Sequence, residues 1–320
     1  MNFLKMKIFK YYMTNKIVAI QGDHPSKLNI NSDTSIFLAN EVQSKKYKIF
    51  YYEPKNLSIL NSNVVAKGFF IEFNYVKKKF FRILKQQKLN LQNCKYILVR
   101  QDPPFNLEYI STTYILDTIK DKVRIINDPT SIRNISEKLY SVKYQRYMPR
   151  TIFSQDINEI RNFFKINKKI ILKPIHGYGG NDIHLLNKFN LDFIKKFIQK
   201  HDHIMCQKFL PKISRGDKRV FLINGKICGA ISRVPKQGSF LSNMSKGAKP
   251  VNTKLSKTEK KISNIIAKDL RKEKIFFAGI DFIDQKLNGD INVTSPTGLK
   301  TLYDLSGINL AKLFWKELKA

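Results

Sequence analysis

The stretch Lys169-Ile-Ile-Leu-Lys-Pro-Ile-His-Gly-Tyr-Gly-Gly180 joins a short apolar run to a glycine-rich loop. The run from Lys169 to Pro174 is typical of a buried β-strand. Glycines at 177, 179 and 180 allow backbone N–H groups to converge on an anion, and Lys173 adds a positive charge suited to phosphate. The spacing matches neither a Walker A loop nor a dinucleotide-binding fingerprint. A phosphate-binding loop and an ordinary turn are both compatible with this segment alone.

A second informative region, downstream, carries oxygen ligands at Asp281, Asp290 and Asn292. We predict that Asn288-Gly289 is the turn of a β-hairpin with Asp281 on one strand and the other two residues on the next. Asp290 and Asn292 then share a face, because side chains alternate along a strand. Two carboxylates and an amide oxygen suit Mg²⁺, whereas a solvated hairpin rim is the alternative. The co-occurrence with a phosphate-type loop favours Mg-ATP chemistry.

Two arginines form a third candidate set. Arg219 follows Asp217 and Lys218 at the start of an apolar strand, and Arg233 lies after the returning strand. Fixed cations of this kind can neutralise charge on a transferring phosphoryl group or an oxyanion; ordinary surface charge is the alternative. A regular hairpin around Asn224-Gly225 would pair residues 219 and 230 and place the two arginines on opposite faces. A shared site therefore requires a bulge.

The amino-terminal third is predicted to be an α/β layer with parallel strands. An apolar strand from Lys16 to Ile20 precedes helical spacing from Ile36 to Val42, and strands follow at Lys46–Tyr52 and Tyr96–Arg100. Functional groups gather beyond the carboxyl ends of such strands, where Arg100 and Asp102 lie. Further predicted elements are helices at 109–119, from 131 to about 143, and at 158–164, a strand at 123–126, and hairpins beyond His203.

Length and composition point to a globular protein. The 320 residues are 42% apolar, enough for a large core in two or three domains or subdomains. No apolar run approaches the ~20 residues of a membrane-spanning helix. Lysines at 5, 7, 10 and 16 interrupt every segment that could serve as a signal peptide. Three cysteines (Cys94, Cys206 and Cys228) are predicted to be buried thiols. Together these features predict a cytoplasmic protein that does not bind a membrane.

The formal net charge of +33 consists mainly of lysine, since only 11 of the 58 basic residues are arginine. Lys, Asn, Ile, Phe and Tyr share A/T-rich codons, which indicates a composition bias and a solvated lysine-rich surface. Specific nucleic-acid binding would require more arginine or a recognisable aromatic module, and neither is found. The five histidines form no zinc pattern. The basic segment from Lys236 to Lys274 includes a Gly-, Ser- and Lys-rich part that is predicted to be a mobile loop.

Beyond these patterns, the chain resembles the bacterial, or prokaryotic-type, glutathione synthetase family of ATP-grasp ligases from about Lys16 onward. The resemblance is carried by Ser32-Asp-Thr-Ser-Ile-Phe-Leu-Ala39, Val99-Arg-Gln-Asp-Pro-Pro-Phe105, Tyr114-Ile-Leu116, Ser136-Glu-Lys-Leu139, Ile171-Leu-Lys-Pro174 with Gly177-x-Gly-Gly180, Asp217-Lys-Arg-Val220 and Ile291-Asn-Val-Thr-Ser-Pro-Thr297. It implies an α/β ATP-grasp fold with an N-terminal Rossmann-like, pre-ATP-grasp domain. The expected division is a non-core extension at 1–15 with translation starting at Met13, the N-terminal domain at 16–126, a central or lid subdomain at 127–210, and a C-terminal subdomain with metal and catalytic residues at 211–320.

The resemblance also implies a role for individual residues. The nucleotide would be bound by Lys138, Lys173, Gly177, Tyr178, Gly179, Gly180, Gln207, Lys208, Phe209, Leu210 and Asp217, with the segment from Gln207 to Leu210 beside adenine. Arg219 and Arg233 would be catalytic cations, and Asp281, Asp290 and Asn292 would bind Mg²⁺ or Mn²⁺. The dipeptide site would include Arg100, Asp102, Asn243, Ser295 and Thr297.

Three segments depart from the family's usual pattern. Asp290 replaces the usual Glu and is one methylene shorter, which one extra residue between Gln285 and Gly289 is expected to offset. The glycine-rich segment after Asn243 is shortened and altered to Met244-Ser-Lys-Gly-Ala-Lys-Pro250. Gly22-Asp-His-Pro25 replaces the usual Met-Asp-Pro after the first strand. These differences bear on metal geometry and peptide specificity more than on ATP use.

The activity implied by the resemblance is ATP-dependent ligation of γ-glutamylcysteine to glycine through an acyl phosphate, giving glutathione, ADP and phosphate. The family also suggests a homo-oligomer with small-molecule substrates and no specific nucleic acid. A related ATP-grasp ligase that acts on another peptide or protein carboxylate is an alternative. A non-catalytic, lysine-rich nucleotide- or RNA-binding module is the alternative from a different class.

Overall fold

The computed structural model describes residues 16–74 and 80–320. The predicted extension at residues 1–15, including a start at Met13, lies outside the described residues. Helices and strands are numbered here in chain order.

The first sheet has seven strands in the order β3-β4-β2-β1-β6-β7, with β5 on the other edge of β4. Its elements are β1 (Ile17–Gln21), α1 (Thr34–Ser44), β2 (Lys48–Tyr52), β3 (Leu57–Leu60), β4 (Asn63–Phe73), β5 (Phe81–Asn90), β6 (Tyr96–Val99), α2 (Leu107–Asp117) and β7 (Arg124–Ile126). Strands β2, β1, β6 and β7 are parallel, as predicted. The antiparallel strands β3, β4 and β5 were not predicted from the sequence.

The second sheet is antiparallel, in the order β10-β9-β11-β8. It comprises β8 (Thr151–Ser154), α4 (Ile157–Asn167), β9 (Ile170–Pro174), β10 (His184–Leu186), α5 (Leu191–His201) and β11 (Ile204–Lys208). The apolar faces of α4 and α5 cover one side through Ile160, Phe163, Ile194 and Phe197. Because side chains alternate along a strand, the other side is left to face the rest of the molecule.

The third sheet is also antiparallel, in the order β14-β13-β12-β15-β16. It contains β12 (Asp217–Ile223), β13 (Lys226–Val234), β14 (Lys249–Asn252), α6 (Lys257–Lys272), β15 (Phe277–Ile283) and β16 (Lys286–Asn292), and is followed by α7 (Leu299–Ser306) and α8 (Leu310–Glu317). Helix α8 packs against helix α1, where the Trp315 indole N–H donates to the Leu38 carbonyl at 2.8 Å, and against Tyr96 of β6. One apolar core therefore joins the first and third sheets.

The hairpin of β12 and β13 contains the bulge that a shared arginine site requires. Its register shifts between Phe221 and Leu222, so that Arg219 pairs with Ile231 and Asp217 pairs with Arg233. Cys228 is the extra residue, and it is partly exposed rather than buried as predicted, unlike Cys94 and Cys206. Since alternate residues share a face, Arg219 and Arg233 lie on the same side of the sheet.

The predicted turn at Asn288-Gly289 is wrong. The β15–β16 turn is formed by Asp284 and Gln285, both with positive φ, and residues 283 and 286 pair around it. Asn288, Gly289 and Asp290 instead lie opposite Asp281 in a bulge of β16. Glycine suits the bulge because φ at position 289 is +85°, a conformation that other residues adopt only with strain; a Cβ there would also lie 2.5 Å from the Met205 methyl carbon. A tight turn and this bulge both need a residue with positive φ, and an Asn-Gly sequence favours that conformation in either setting.

The helix predicted from Ser131 to about Lys143 is also interrupted. Helix α3 covers only Pro129–Asn134, and a 3₁₀ helix begins at Leu139 and ends at Tyr147. Between them the Glu137 carbonyl accepts a hydrogen bond from the Ile291 N–H at 3.0 Å. The turn that contains Glu137 therefore docks on β16, which a helical pattern in the sequence does not reveal.

Asn127 connects the end of β7 to the third sheet. Its Nδ2 donates to the Phe277 and Val293 carbonyls at 2.7 and 2.6 Å, and its Oδ1 accepts from the N–H groups of Phe276 and Phe277 at 2.9 and 2.8 Å. The residue is only 3% exposed. The side-chain amide of Asn127 therefore fixes the position of the first sheet relative to the third sheet.

We expect Asn127→Ala to lower the free energy of unfolding by about 2–4 kcal/mol, because four backbone groups lose a buried partner. Asn127→Asp should destabilise at least as much, since it would turn a carboxylate oxygen toward two carbonyls. Urea denaturation measures both. The exposed Asn63→Ala is the control and should change stability by less than about 0.5 kcal/mol. Equal effects at the two positions would contradict the proposed connecting role.

None of the helices in the described part of the chain is long and apolar enough to span a membrane.

Candidate active site

A cleft of about 830 Å³ lies where the carboxyl ends of the parallel strands of the first sheet meet the second and third sheets. Every site residue predicted from the sequence lines it, with the exception of Arg100: Asp102, Lys138, Lys173, Gly177, Tyr178, Gly179, Gly180, Gln207, Lys208, Phe209, Leu210, Asp217, Arg219, Arg233, Asn243, Asp281, Asp290, Asn292, Ser295 and Thr297. The fold thus brings residues nearly 200 positions apart in sequence into one cavity.

A buried chain of alternating charges lies at the third-sheet wall. Arg219 donates from Nε and Nη2 to the two oxygens of Asp281 at 2.8 and 2.7 Å. Arg233 donates to Asp281 at 2.9 Å and pairs in two-point fashion with Asp217, with Nε at 2.7 Å from Oδ1. Such fork-like pairing fixes both the position and the plane of each guanidinium. The register of β12, β13 and β15 sets this arrangement, because Arg219 pairs with Asp281 across the strands.

The charges in this chain stabilise one another. Burial by itself would raise the pKa of Asp281, but Arg219 and Arg233 outweigh it and hold the pKa well below its usual range. Burial likewise opposes the charge on Arg233, yet Asp217 and Asp281 raise its pKa. Both groups are therefore ionised at neutral pH, and the wall presents fixed charges to anything bound in the cleft.

A second charged group surrounds Asp290. Lys173 Nζ lies 3.4 Å from Asp290 Oδ2 and donates to the carbonyl and side-chain oxygens of Asn288 at 3.0 and 3.1 Å. Lys138 Nζ lies 3.7 Å from Asp290 Oδ1 and donates to the Gly177 carbonyl at 2.8 Å. The bulge of β16 is what places Asn288 and Asp290 against the two lysines. Asp290 therefore lies within ion-pair distance of both lysines that are predicted to bind phosphate.

Asn292 supplies an oxygen without a partner. Its Oδ1 is buried and accepts no hydrogen bond, in the same cleft as Asp281 and Asp290. Two carboxylates and a free amide oxygen are the hard donors that Mg²⁺ or Mn²⁺ prefers, so these residues fit a divalent cation. Within residues 16–74 and 80–320 no group of three or more His, Cys, Asp or Glu side chains forms a metal site.

The glycine loop faces a second loop across the mouth of the cleft. Gly179 and Gly180 have φ of +62° and +77°, and a Cβ on Gly180 would lie 2.4 Å from Asn243 Oδ1. Ser245 donates to the Gly179 carbonyl at 3.3 Å, and Lys246 donates to Asn181 at 2.6 Å. The altered segment after Asn243 therefore contacts the predicted phosphate loop directly.

The segment from Gln207 to Leu210, at the end of β11, forms part of the cleft wall on the second sheet. Its N–H groups at Lys208 and Phe209 donate to the Arg150 and Lys169 carbonyls at 2.8 and 3.1 Å. Both N–H groups are therefore already hydrogen-bonded and cannot donate to the edge of a base. Ile171 and Ile283 add apolar surface to the same cleft.

Arg100 lies behind the cleft wall. It is 6% exposed, its Nε donates to Ser35 at 3.1 Å, and its Nη1 is buried without a hydrogen-bond partner. Its carbonyl accepts from Ser295 at 3.3 Å, which links it to a residue that does line the cleft. Direct contact between Arg100 and a substrate stays a prediction.

Glu137 and Asn288 are among the cleft residues that were not predicted as site residues. Glu137 lies next to Lys138, with 3.9 Å between carboxylate and ammonium, and burial raises its pKa. It stands within the quoted stretch Ser136–Leu139, so its position beside a predicted nucleotide-binding lysine could have pointed to it. Asn288 was interpreted as a turn residue, and nothing in the sequence distinguishes the bulge from a turn.

Comparisons with known proteins identify the family of this chain. The family profile described as "Prokaryotic glutathione synthetase, ATP-grasp domain" matches residues 137–307, and "Prokaryotic glutathione synthetase, N-terminal domain" matches residues 17–133. The chain belongs to the prokaryotic glutathione synthetase family. Among its relatives is the glutathione synthetase of Brucella melitensis, 36% identical over 314 residues, which cover 95% of this chain and 98% of the relative. That of Agrobacterium fabrum is 34% identical over 308 residues, which cover 95% and 96%.

Solved structures confirm the predicted ATP-grasp fold of this glutathione synthetase family member. D-cycloserine synthetase DcsG superposes with a TM-score of 0.64 at 10% identity, covering 94% of this chain and 99% of that one. ATP-grasp ligase PsnB gives a TM-score of 0.62 at 12% identity, covering 96% and 98%. Family membership also confirms the prediction of an ATP-dependent ligase.

Proposed function

We propose that the protein joins γ-glutamylcysteine to glycine at the expense of ATP, forming glutathione, ADP and phosphate. The observation that carries the proposal is the buried chain Asp217–Arg233–Asp281–Arg219 at one wall of a cleft whose other walls carry Lys138 and Lys173. This arrangement supports transfer of a phosphoryl group to a carboxylate. Membership of the glutathione synthetase family supports the choice of dipeptide and amine.

The proposed reaction has two steps. A carboxylate oxygen of the cysteine residue attacks the γ-phosphorus of ATP, which forms an acyl phosphate and releases ADP. The amine of glycine then attacks the acyl carbon, phosphate leaves, and the amine proton passes to solvent. Lys138 and Lys173 would hold the phosphates, and Arg219 with Arg233 would stabilise negative charge on the reacting carboxyl oxygens. The loop contacts of Asn243, Ser245 and Lys246 would exclude water that could hydrolyse the acyl phosphate.

A divalent cation fits the same cleft. Asp281, Asp290 and the unpartnered Asn292 Oδ1 would hold Mg²⁺, with Mn²⁺ as a substitute. The cation supplies charge neutralisation for the phosphates of the bound nucleotide. Asp290 would then exchange its lysine partners for the metal.

The wider setting of the enzyme is also part of the proposal. We place it in the cytoplasm as a homo-oligomer that uses small-molecule substrates without a specific nucleic acid. We retain the division into three subdomains at residues 16–126, 127–210 and 211–320. The presence of three separate sheets supports it. The lysine-rich surface would attract anionic substrates at low salt.

The reaction is tested by measuring ADP release from ATP and Mg²⁺ with γ-glutamylcysteine, with and without glycine, and identifying the product by mass spectrometry. We expect release to depend on both substrates and the product to be glutathione. Turnover with another carboxylate or amine instead would favour a related ATP-grasp ligase. No ADP release with any substrate pair, together with RNA binding that weakens steeply with salt, would favour the non-catalytic alternative.

A further inference from the structure

Thr151 and Gln207 lie directly opposite each other on the antiparallel strands β8 and β11. Ile171 of β9 pairs with Gln207 on its other side. Directly opposed residues point to the same face, so these three side chains form one row across the sheet. Ile171 and Gln207 line the cleft, whereas Thr151 is buried behind them at 5% exposure.

The hydrogen bonds of Thr151 determine which way the Gln207 amide is turned. The Thr151 hydroxyl donates its only proton to the Pro149 carbonyl at 2.8 Å. Toward Gln207 the hydroxyl oxygen can therefore only accept. It lies 3.0 Å from Gln207 Nε2, which is consequently the donor of that bond. A flipped amide would place two acceptors against each other.

The same bond leaves Gln207 Oε1 facing the cleft. Gln207 is 3% exposed and lines the cavity, and no donor among residues 16–74 and 80–320 reaches its Oε1. The N–H groups of the neighbouring residues Lys208 and Phe209 are already bonded. This part of the wall thus offers a fixed acceptor to a bound group.

A fixed acceptor distinguishes between purine bases. Adenine carries an exocyclic amine, a donor, at the position where guanine carries an oxygen, an acceptor. We propose that Thr151 is a positioning residue for nucleotide specificity: it fixes the Gln207 amide so that its oxygen accepts from the amine of adenine and repels the oxygen of guanine. This inference rests on the proposed function, which places the base beside Gln207.

The test compares the wild-type protein with Thr151→Val, Thr151→Ser and Gln207→Leu. Binding of ADP and GDP is measured calorimetrically with Mg²⁺, and KM and kcat are measured with ATP and GTP. Valine keeps the shape of threonine but cannot accept a hydrogen bond, so the Gln207 amide becomes free to turn. We expect the preference for adenine to fall by about tenfold, the upper end of what a single net hydrogen bond contributes.

Further outcomes separate positioning from mere stabilisation. The change should appear in KM and in nucleotide affinity rather than in kcat, and Thr151→Ser should restore the preference because it keeps the hydroxyl. Gln207→Leu removes the acceptor itself and should lose the preference even if Thr151→Val fails to fold. Thr112→Val is the matched control, since Thr112 is a buried threonine of α2 whose hydroxyl donates to the Tyr109 carbonyl at 2.8 Å. It should leave the preference unchanged.

An unchanged adenine preference in Thr151→Val, or an equal loss in Thr151→Ser, would overturn the inference. A wild-type protein that binds GDP as tightly as ADP would do the same. A preference for ADP that Thr151→Val loses and Thr151→Ser keeps, without any ligase turnover, would support the inference while rejecting the proposed function, so the two can fail separately.

Discussion

Replacing Arg219 with methionine is expected to lower turnover by about 10²–10³-fold, as loss of one preorganised group that stabilises transition-state charge commonly does. Arg219 donates two hydrogen bonds to Asp281 and is only 9% exposed, so its guanidinium is held in one position. Nucleotide affinity should change little, because Lys138 and Lys173 lie elsewhere in the cleft. Steady-state ADP release and calorimetric binding of ADP measure the two effects.

The fold should survive this change, because Asp281 keeps its hydrogen bond from Arg233 at 2.9 Å. Arg219→Lys should be intermediate, since it keeps the charge but loses the two-point geometry. Arg215→Met provides the matched control, because Arg215 is an exposed arginine only four positions earlier in the chain. Near-normal turnover of a folded Arg219→Met variant would remove Arg219 from the mechanism.

The parallel part of the first sheet and part of the cleft could be predicted from the sequence because both rest on local patterns, whereas the remaining cleft residues came from the family resemblance. Buried parallel strands such as Ile17–Gln21 are continuous apolar runs, and helix α1 begins at an Asp33 cap that accepts from the Ile36 N–H at 2.7 Å. The glycine loop and the paired oxygen ligands are likewise short motifs. The resemblance then supplied the roles that such motifs alone leave open.

What the sequence could not provide depends on contacts between distant segments. Asn288-Gly289 has the local preference of a turn, but the approach of Met205 and the docking of Glu137 on β16 make it a bulge. The bulge beside Phe221 similarly decides whether Arg219 and Arg233 share a face. Packing also determines that Arg100 lies behind the cleft wall and that Thr151 orients Gln207. The spacing of residues in the sequence does not predict either feature.

Asp290→Asn is expected to have opposite effects on metal-dependent turnover and on metal-free nucleotide binding. Turnover with Mg²⁺ should fall at least about 10²-fold, because the cleft loses a charged oxygen among the three that fit the cation. Without metal, the same carboxylate competes with ATP for Lys173 and Lys138, from which it lies 3.4 and 3.7 Å away. Removing it should strengthen binding of ATP in EDTA by about fivefold, the equivalent of ~1 kcal/mol for one ion pair.

Steady-state ADP release with Mg²⁺ measures the effect on turnover, and calorimetric titration of ATP in EDTA measures the effect on metal-free binding. The control is Asp284→Asn, which removes a carboxylate from the turn of the same hairpin, where it pairs with Lys212 at 2.7 Å outside the cleft. A general effect of lost negative charge would appear in both variants, whereas competition for the two lysines would appear only at position 290. If Asp290→Asn bound metal-free ATP no better than the wild type, the lysines would already be free of Asp290, and the exchange of partners on metal binding would have no basis.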